Sequence, residues 1–114
     1  MLVPPLEAPS PSPDEIKITV PPEPEPGFYH FLDVCTKKVS HECGENIVKS
    51  VLENVETTRK CCGELVHGMG KICHDDLLKF FVSLRELGLI ASQVYTKGDQ
   101  IWNNCVKIAA SRYD

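Results

Sequence analysis

The chain has 114 residues, 42% of them hydrophobic, with a formal net charge of -4, nine Pro, seven Gly and six Cys. That length suits one domain. No apolar run approaches the ~20 residues that cross a bilayer, and an acidic balance argues against a nucleic-acid binder, which carries a basic stripe for phosphates.

The averages conceal a partition. All nine Pro fall within residues 1–26, and all six Cys fall between residues 35 and 105. Pro fixes φ, lacks an N–H and biases its predecessor towards extended backbone, so residues 1–26 read as a disordered, polyproline-II-like leader. Ile16–Val20 alternates apolar and polar side chains, as a strand does, but Pro brackets it closely. The leader also holds the charge: Glu7, Asp14, Glu15, Glu23 and Glu25 stand against Lys17, so residues 27–114 are neutral.

From Gly27 onwards there is no Pro, and the apolar period becomes helical. Phe28, Phe31, Leu32 and Cys35 share one face, predicting a first helix over 28–41. Ile47, Val48, Val51, Leu52 and Val55 predict a second over 44–56. Thr57 and Thr58 are candidate N-caps for a third, whose apolar face is Cys61, Cys62, Leu65 and Val66, and which Gly68 and Gly70 weaken or end. Leu77, Leu78, Phe80, Phe81, Leu84 and Leu87 mark a fourth over 72–87, with Gly88 placed as its C′ residue. Asp99 is the expected cap of a last helix carrying Ile101, Trp102, Cys105, Val106 and Ile108. The expected fold is all-α: a small disulfide-stapled bundle of four to five short helices over residues 27–114.

The cysteines follow the spacing C-x7-C-x17-CC-x10-C-x31-C. Six allow 15 pairings, and excluding a strained Cys61–Cys62 ring leaves twelve. Adjacent residues on a helix point about 100° apart, so Cys61 and Cys62 tie one helix to two others. On one continuous helix Cys35 and Cys43 stand about 12 Å apart, beyond the ~7 Å limit for a bridge, and each then needs a distant partner.

Zinc sites draw ligands as C-x2–4-C pairs, a spacing absent here, although His41 near Cys43 and His74 beside Cys73 offer nitrogen ligands. A cysteine nucleophile needs a nearby base and a lowered thiol pKa, and an even cysteine count instead supplies each with a disulfide partner. His30, His41, His67 and His74 are scattered and read as exposed or helix-terminal. No enzyme activity, metal or cofactor is expected. Three disulfides imply an oxidising compartment. Met1-Leu2-Val3 runs directly into Pro4-Pro5, leaving no apolar signal core, so the chain is either a mature form or truncated gene model, the favoured reading, or an intracellular protein with free thiols.

Cys35 with a short helix to Cys43, CGENIV at 43–48, RKCCGELV at 59–66 and GKICHDDL at 70–77 together carry a resemblance. The region from Phe31 to Cys105 resembles the plant prolamin-like family, small secreted proteins termed early-culture-abundant gametogenesis-related, which include egg-cell-secreted proteins. The wider superfamily of lipid-transfer proteins, seed albumins and amylase/trypsin inhibitors shares the Cys doublet on a helical bundle. Lipid-transfer proteins have eight Cys with a C-x-C segment, whereas this chain has six and a lone Cys73, so their tunnel does not carry over. The resemblance implies the pairs Cys43–Cys61, Cys35–Cys73 and Cys62–Cys105. It also implies a non-enzymatic secreted protein in plant reproductive cell communication, acting on a protein receptor or gamete-surface partner without inserting into a membrane. Two alternatives stand beside it. One is a carrier of lipid or another apolar ligand. The other is a defence protein or hydrolase inhibitor, for which residues 88–98 are the expected protruding loop; a lytic role needs positive charge that the neutral body lacks.

Overall fold

The structure, a computed structural model, describes residues 20–110. Of the leader expected over residues 1–26 only 20–26 are described, and of the strand expected at Ile16–Val20 only Val20; residues 1–19 lie outside the described residues. Residues 20–26 form neither helix nor strand, but they are fastened to the body rather than loose. The Tyr29 N–H donates to Glu23 Oε1 at 2.8 Å, and the Tyr29 hydroxyl donates to the carbonyl oxygen of Pro21.

The described chain is all-α. Helix α1 spans Phe28–Thr36 and α2 spans His41–Glu53. The helix predicted over 28–41 is thus cut short before Ser40. That residue has extended backbone, and its hydroxyl accepts the Cys43 N–H at 3.2 Å, so it starts α2. Capping a new helix satisfies orphan amides that a continuous one would not expose. Cys35 and Cys43 therefore sit on different helices, and their spacing along one continuous helix does not apply. Helix α2 ends at Asn54, which takes a left-handed conformation with φ 62°.

Thr58 caps α3, Arg59–Gly63, through its hydroxyl to the Cys61 N–H at 3.1 Å. The helix runs on as a π-helical stretch, Glu64–Met69, closed by the Gly70 N–H donating to Leu65 O at 2.8 Å. A π-turn inserts one extra residue and re-phases the side chains beyond it. Here it keeps Leu65 and Met69 inward while Gly68 meets the turn between α1 and α2. A Cβ on Gly68 would stand 2.8 Å from the backbone oxygen of Lys38, so only glycine permits that approach.

Helix α4 spans Lys71–Ser83, and the short α5 spans Arg85–Gly88. The predicted helix over 72–87 is broken at Leu84, whose ψ of 141° is extended. Gly88 lies inside α5 and is not among the positive-φ residues, so it is no C′ stop. Helix α6 is the longest, Ala91–Ala110. It absorbs nearly all of the loop expected at 88–98, and Asp99 lies in its middle instead of capping its start. The inhibitor reading loses its reactive loop with that correction.

Helix α6 packs against α2, α3, the π-stretch and α4, while α1 packs on α4. Its inward residues Val94, Gly98, Ile101 and Cys105 repeat at helical spacing. Three disulfides cross the core: Cys35–Cys73 joins α1 to α4, Cys43–Cys61 joins α2 to α3, and Cys62–Cys105 joins α3 to α6. All six are buried, and no cysteine is free. Leu65, at 0% exposure, belongs to the same core cluster; a fully buried Leu contributes roughly 1.5–3 kcal/mol.

Candidate functional site

Two polar clamps fix the positions of α2 and the segment after it. Asn46 Nδ2 donates to Glu56 O, and Asn46 Oδ1 accepts the Thr58 N–H, both at 3.1 Å. Thr57 Oγ1 donates to Ser50 Oγ at 2.7 Å, and Ser50, fully buried, donates onward to Asn46 O at 2.9 Å. At the other end of α2, the Ser40 N–H donates to Glu64 Oε1 at 2.7 Å. That backbone hydrogen bond holds the Glu64 carboxyl below its ordinary value, against a smaller opposing effect of desolvation. The bond carries Glu64 of the π-stretch to the start of α2.

Between α2, the turn before it, the π-stretch and α4 lies an open apolar groove of about 790 Å³. Along α2, His41, Gly44, Glu45, Val48 and Lys49 line it at spacings of three and four, so one side of the helix faces the groove. Ile47 forms its floor. Val39 comes from the turn before α2, Met69 from the π-stretch, and Leu77 and Phe81 from successive turns of α4. The walls are apolar and the rim is charged, with Lys37 and Lys49 of one sign and Glu45 and Glu53 of the other. This volume lies within the range of small-molecule sites, but the groove is open and is not an enclosed tunnel. A smaller, more polar cleft of about 390 Å³ covers the Cys62–Cys105 bridge, with Glu56, Lys97 and Lys107 around it.

The histidines separate into two kinds. His30, His41 and His67 are exposed. His74 is 2% exposed, which corrects the expectation of an exposed residue, while its place in the first turn of α4 agrees with a helix-terminal one. Its Nε2 donates to Gly98 O at 2.9 Å, and its ring lies 5.5 Å from Trp102. Desolvation lowers its pKa, partly opposed by the Gly98 hydrogen bond. Cys73 is tied to Cys35, so no thiol stands beside His74 to share a metal. Among the described residues, no three His, Cys, Asp or Glu gather as a metal site, and no helix is long and apolar enough to cross a membrane.

Val39 and Met69 are groove residues that the sequence pattern does not mark. Val39 belongs to no helical period, and Met69 reaches the groove because of the π-turn. The run of Gly63, Gly68 and Gly70 marks a helix under local irregularity, but it does not say which side chain is re-aimed.

The prolamin-like family model matches residues 34–106. The chain belongs to the prolamin-like family. The matched span begins just before Cys35 and ends just after Cys105, so it contains all three disulfides and the whole groove from Thr36 to Phe81. The chain is also similar to Protein DOWN-REGULATED IN DIF1 11 of Arabidopsis thaliana, with 27% identity over 82 residues, covering 72% of this chain and 54% of that protein. The chain thus spans about half the length of this curated relative. No solved structure matches. This prolamin-like chain is a small, cysteine-rich helical protein stapled by three disulfides, a build that fits a non-enzymatic, extracellular protein.

Proposed function

We propose that this prolamin-like protein is secreted and acts in plant reproductive cell communication by binding a protein at a receptor or gamete surface, with the groove beside α2 as its contact face. The observation that carries the reading is the groove itself: an open apolar surface with a charged rim, held by a disulfide-stapled scaffold. Preorganised apolar surface of this kind lowers the ordering cost of association. The rim, carrying both signs, selects orientation more than it adds affinity. The experiment is binding of the labelled, oxidised full chain to pollen-tube and female-gametophyte membranes, beside the Val48→Glu variant. Saturable binding weakened at least tenfold by Val48→Glu supports the reading. Absence of saturable binding, or equal binding by both proteins, overturns it.

The size of the groove also favours a second reading, a carrier of a lipid or another small apolar ligand. Displacement of a fluorescent fatty acid by candidate lipids at micromolar concentration supports the carrier. No uptake of the fatty acid removes it.

A further inference from the structure

We propose that the chain holds a second binding site, a polar cleft between α6 and the end of α2 that takes an extended, acidic peptide segment by its main chain. The cleft is separate from the apolar groove, and its role does not depend on what the groove binds.

The cleft has two parts that meet at one junction. The part of about 390 Å³ over the Cys62–Cys105 bridge and a neighbouring one of about 360 Å³ share Asn54 and Lys97 in their walls. Asn54 ends α2 there in left-handed backbone, and Lys97 Nζ donates to its Oδ1. Along α6 the walls run from Ser92 to Ile108, about 24 Å at 1.5 Å per residue. That length matches about seven extended residues at ~3.3 Å each. Val51, Ile101 and both cysteines of the bridge line the cleft and are buried. The floor is thus rigid, and the ordering cost of binding falls mainly on the ligand.

The cleft presents a row of carboxamides. Gln93, Gln100 and Asn104 line it from one face of α6, with Lys97 between the first two. All three amides are exposed. A carboxamide donates from its nitrogen and accepts on its oxygen, the complement of the C=O and N–H of one peptide residue. In an extended chain, alternate residues present those groups on the same edge, about 6.6 Å apart. Gln100 and Asn104 stand about 6 Å apart along the helix axis, so both pair with one edge. Gln93, about 16 Å from Asn104 along the axis, reaches the far end of the same segment. Main-chain pairing of this kind supplies affinity, and pockets for side chains supply selection. Among the described residues lining either part, none is aromatic, so no ring is offered to the face of a sugar.

Charge sets the sign of the ligand. Lys97 and Lys107 face the cleft against Glu56, which leaves it positive on a neutral body. One hydrogen bond to Asn54 leaves the Lys97 ammonium further donors for a carboxylate. Leu52 and Val55, 39% and 41% exposed on the α2 side, receive the apolar side chains of the peptide.

The test titrates a fluorescein-labelled heptapeptide of alternating Asp and Val with the oxidised full chain, read by fluorescence anisotropy. Saturable binding is expected, weakened about tenfold when Gln100→Ala and Asn104→Ala are combined. Both positions are exposed, so the double variant should keep the urea midpoint of the parent. Methylating the amide nitrogens of one alternate set of peptide residues should abolish binding, while methylating the other set should not. That arm uses the unaltered protein and decides the matter even if the variant misfolds. Val48→Glu should leave peptide binding unchanged. The proposal is overturned by no saturable binding, by equal effects of the two methylation patterns, or by full binding to the folded double variant. Weakening by Val48→Glu also overturns it, by placing the peptide in the apolar groove. Binding of cellohexaose in place of the peptide, with the same dependence on Gln100 and Asn104, overturns it in favour of a glycan.

Discussion

The imidazole of His74 donates from Nε2 to the carbonyl oxygen of Gly98 at 2.9 Å, a contact between α4 and the middle of α6. It exists because position 98 has no side chain. A Cβ there would stand 2.4 Å from Cδ1 of Leu78, which is itself 2% exposed. The two helices meet at van der Waals distance over this glycine, and the histidine is sealed beneath them against Trp102.

Gly98→Ala sets two effects against each other. Alanine is favoured over glycine within a helix by about 1 kcal/mol, but overpacking a close helix contact costs about 1–3 kcal/mol. Buried Leu78 has little room to yield, so overpacking wins and the net result is destabilisation. The check is a thermodynamic cycle with Leu78→Ala by urea denaturation. Gly98→Ala should be unfavourable alone and neutral or favourable beside Leu78→Ala. Equal effects in both backgrounds would place the cost elsewhere.

The buried histidine makes stability depend on pH, with a definite sign. The folded-state pKa of His74 lies below the ordinary value of 6.5, chiefly through desolvation. The unfolded chain then binds more protons than the folded one as pH falls below about 6.5. Stability is therefore full above that pH, and it declines on acidification until the folded-state pKa is passed. The slope for one group is at most about 1.4 kcal/mol per pH unit. His74→Gln should remove this part of the dependence while lowering stability at neutral pH. Urea midpoints for both proteins between pH 7.5 and 5 provide the comparison, and parallel curves would show that His74 does not carry it.

These features mark where the sequence was legible. Periodic apolar faces read correctly as helices, because Ile47 and Val51 stand one turn apart whatever surrounds them, although Val55 of the same predicted face falls beyond the end of α2 at Glu53. Thr58 was legible as a cap because capping needs only local hydrogen bonds. Gly88 and Gly98 are ambiguous in sequence for one reason: a glycine signals either a stop or a close approach, and only the neighbour decides. Gly98 has Leu78 against it, so it continues the helix. Groove membership was the least legible, since Val39, Met69 and Phe81 converge from three separate segments.

The cap of α3 offers a direct test of local structure. Thr58 Oγ1 accepts the Cys61 N–H, and its own N–H donates to Asn46. Thr58→Ala removes the first bond and keeps the second, so the cost should be about 1 kcal/mol. Asn46→Ala removes both bonds to the 54–58 segment and should cost more. Hydrogen exchange should accelerate at Cys61 in the first variant, and also at Thr58 in the second. Slower exchange, or a larger effect from Thr58→Ala, would contradict the clamp.

The cystines set the last expectation. Digestion without reduction should yield peptides linking Cys35 to Cys73 and the Cys61–Cys62 segment to both Cys43 and Cys105, and full reduction should add about six mass units for three bridges. Within the doublet, cleavage between the two residues by stepwise degradation distinguishes Cys61 from Cys62. The Cys62–Cys105 bridge closes the longest loop, with a sequence separation of 43, and ties α3 to α6. The Cys43–Cys61 bridge closes the shortest, with a separation of 18. Chain-entropy reasoning makes the longer loop the costlier to release, within a range of about 2–5 kcal/mol per bridge. The double variant Cys62→Ala with Cys105→Ala should therefore unfold at lower denaturant than Cys43→Ala with Cys61→Ala. The ranking reverses if the α2–α3 contact beside the groove, rather than loop closure, dominates, and the denaturation midpoints decide between the two.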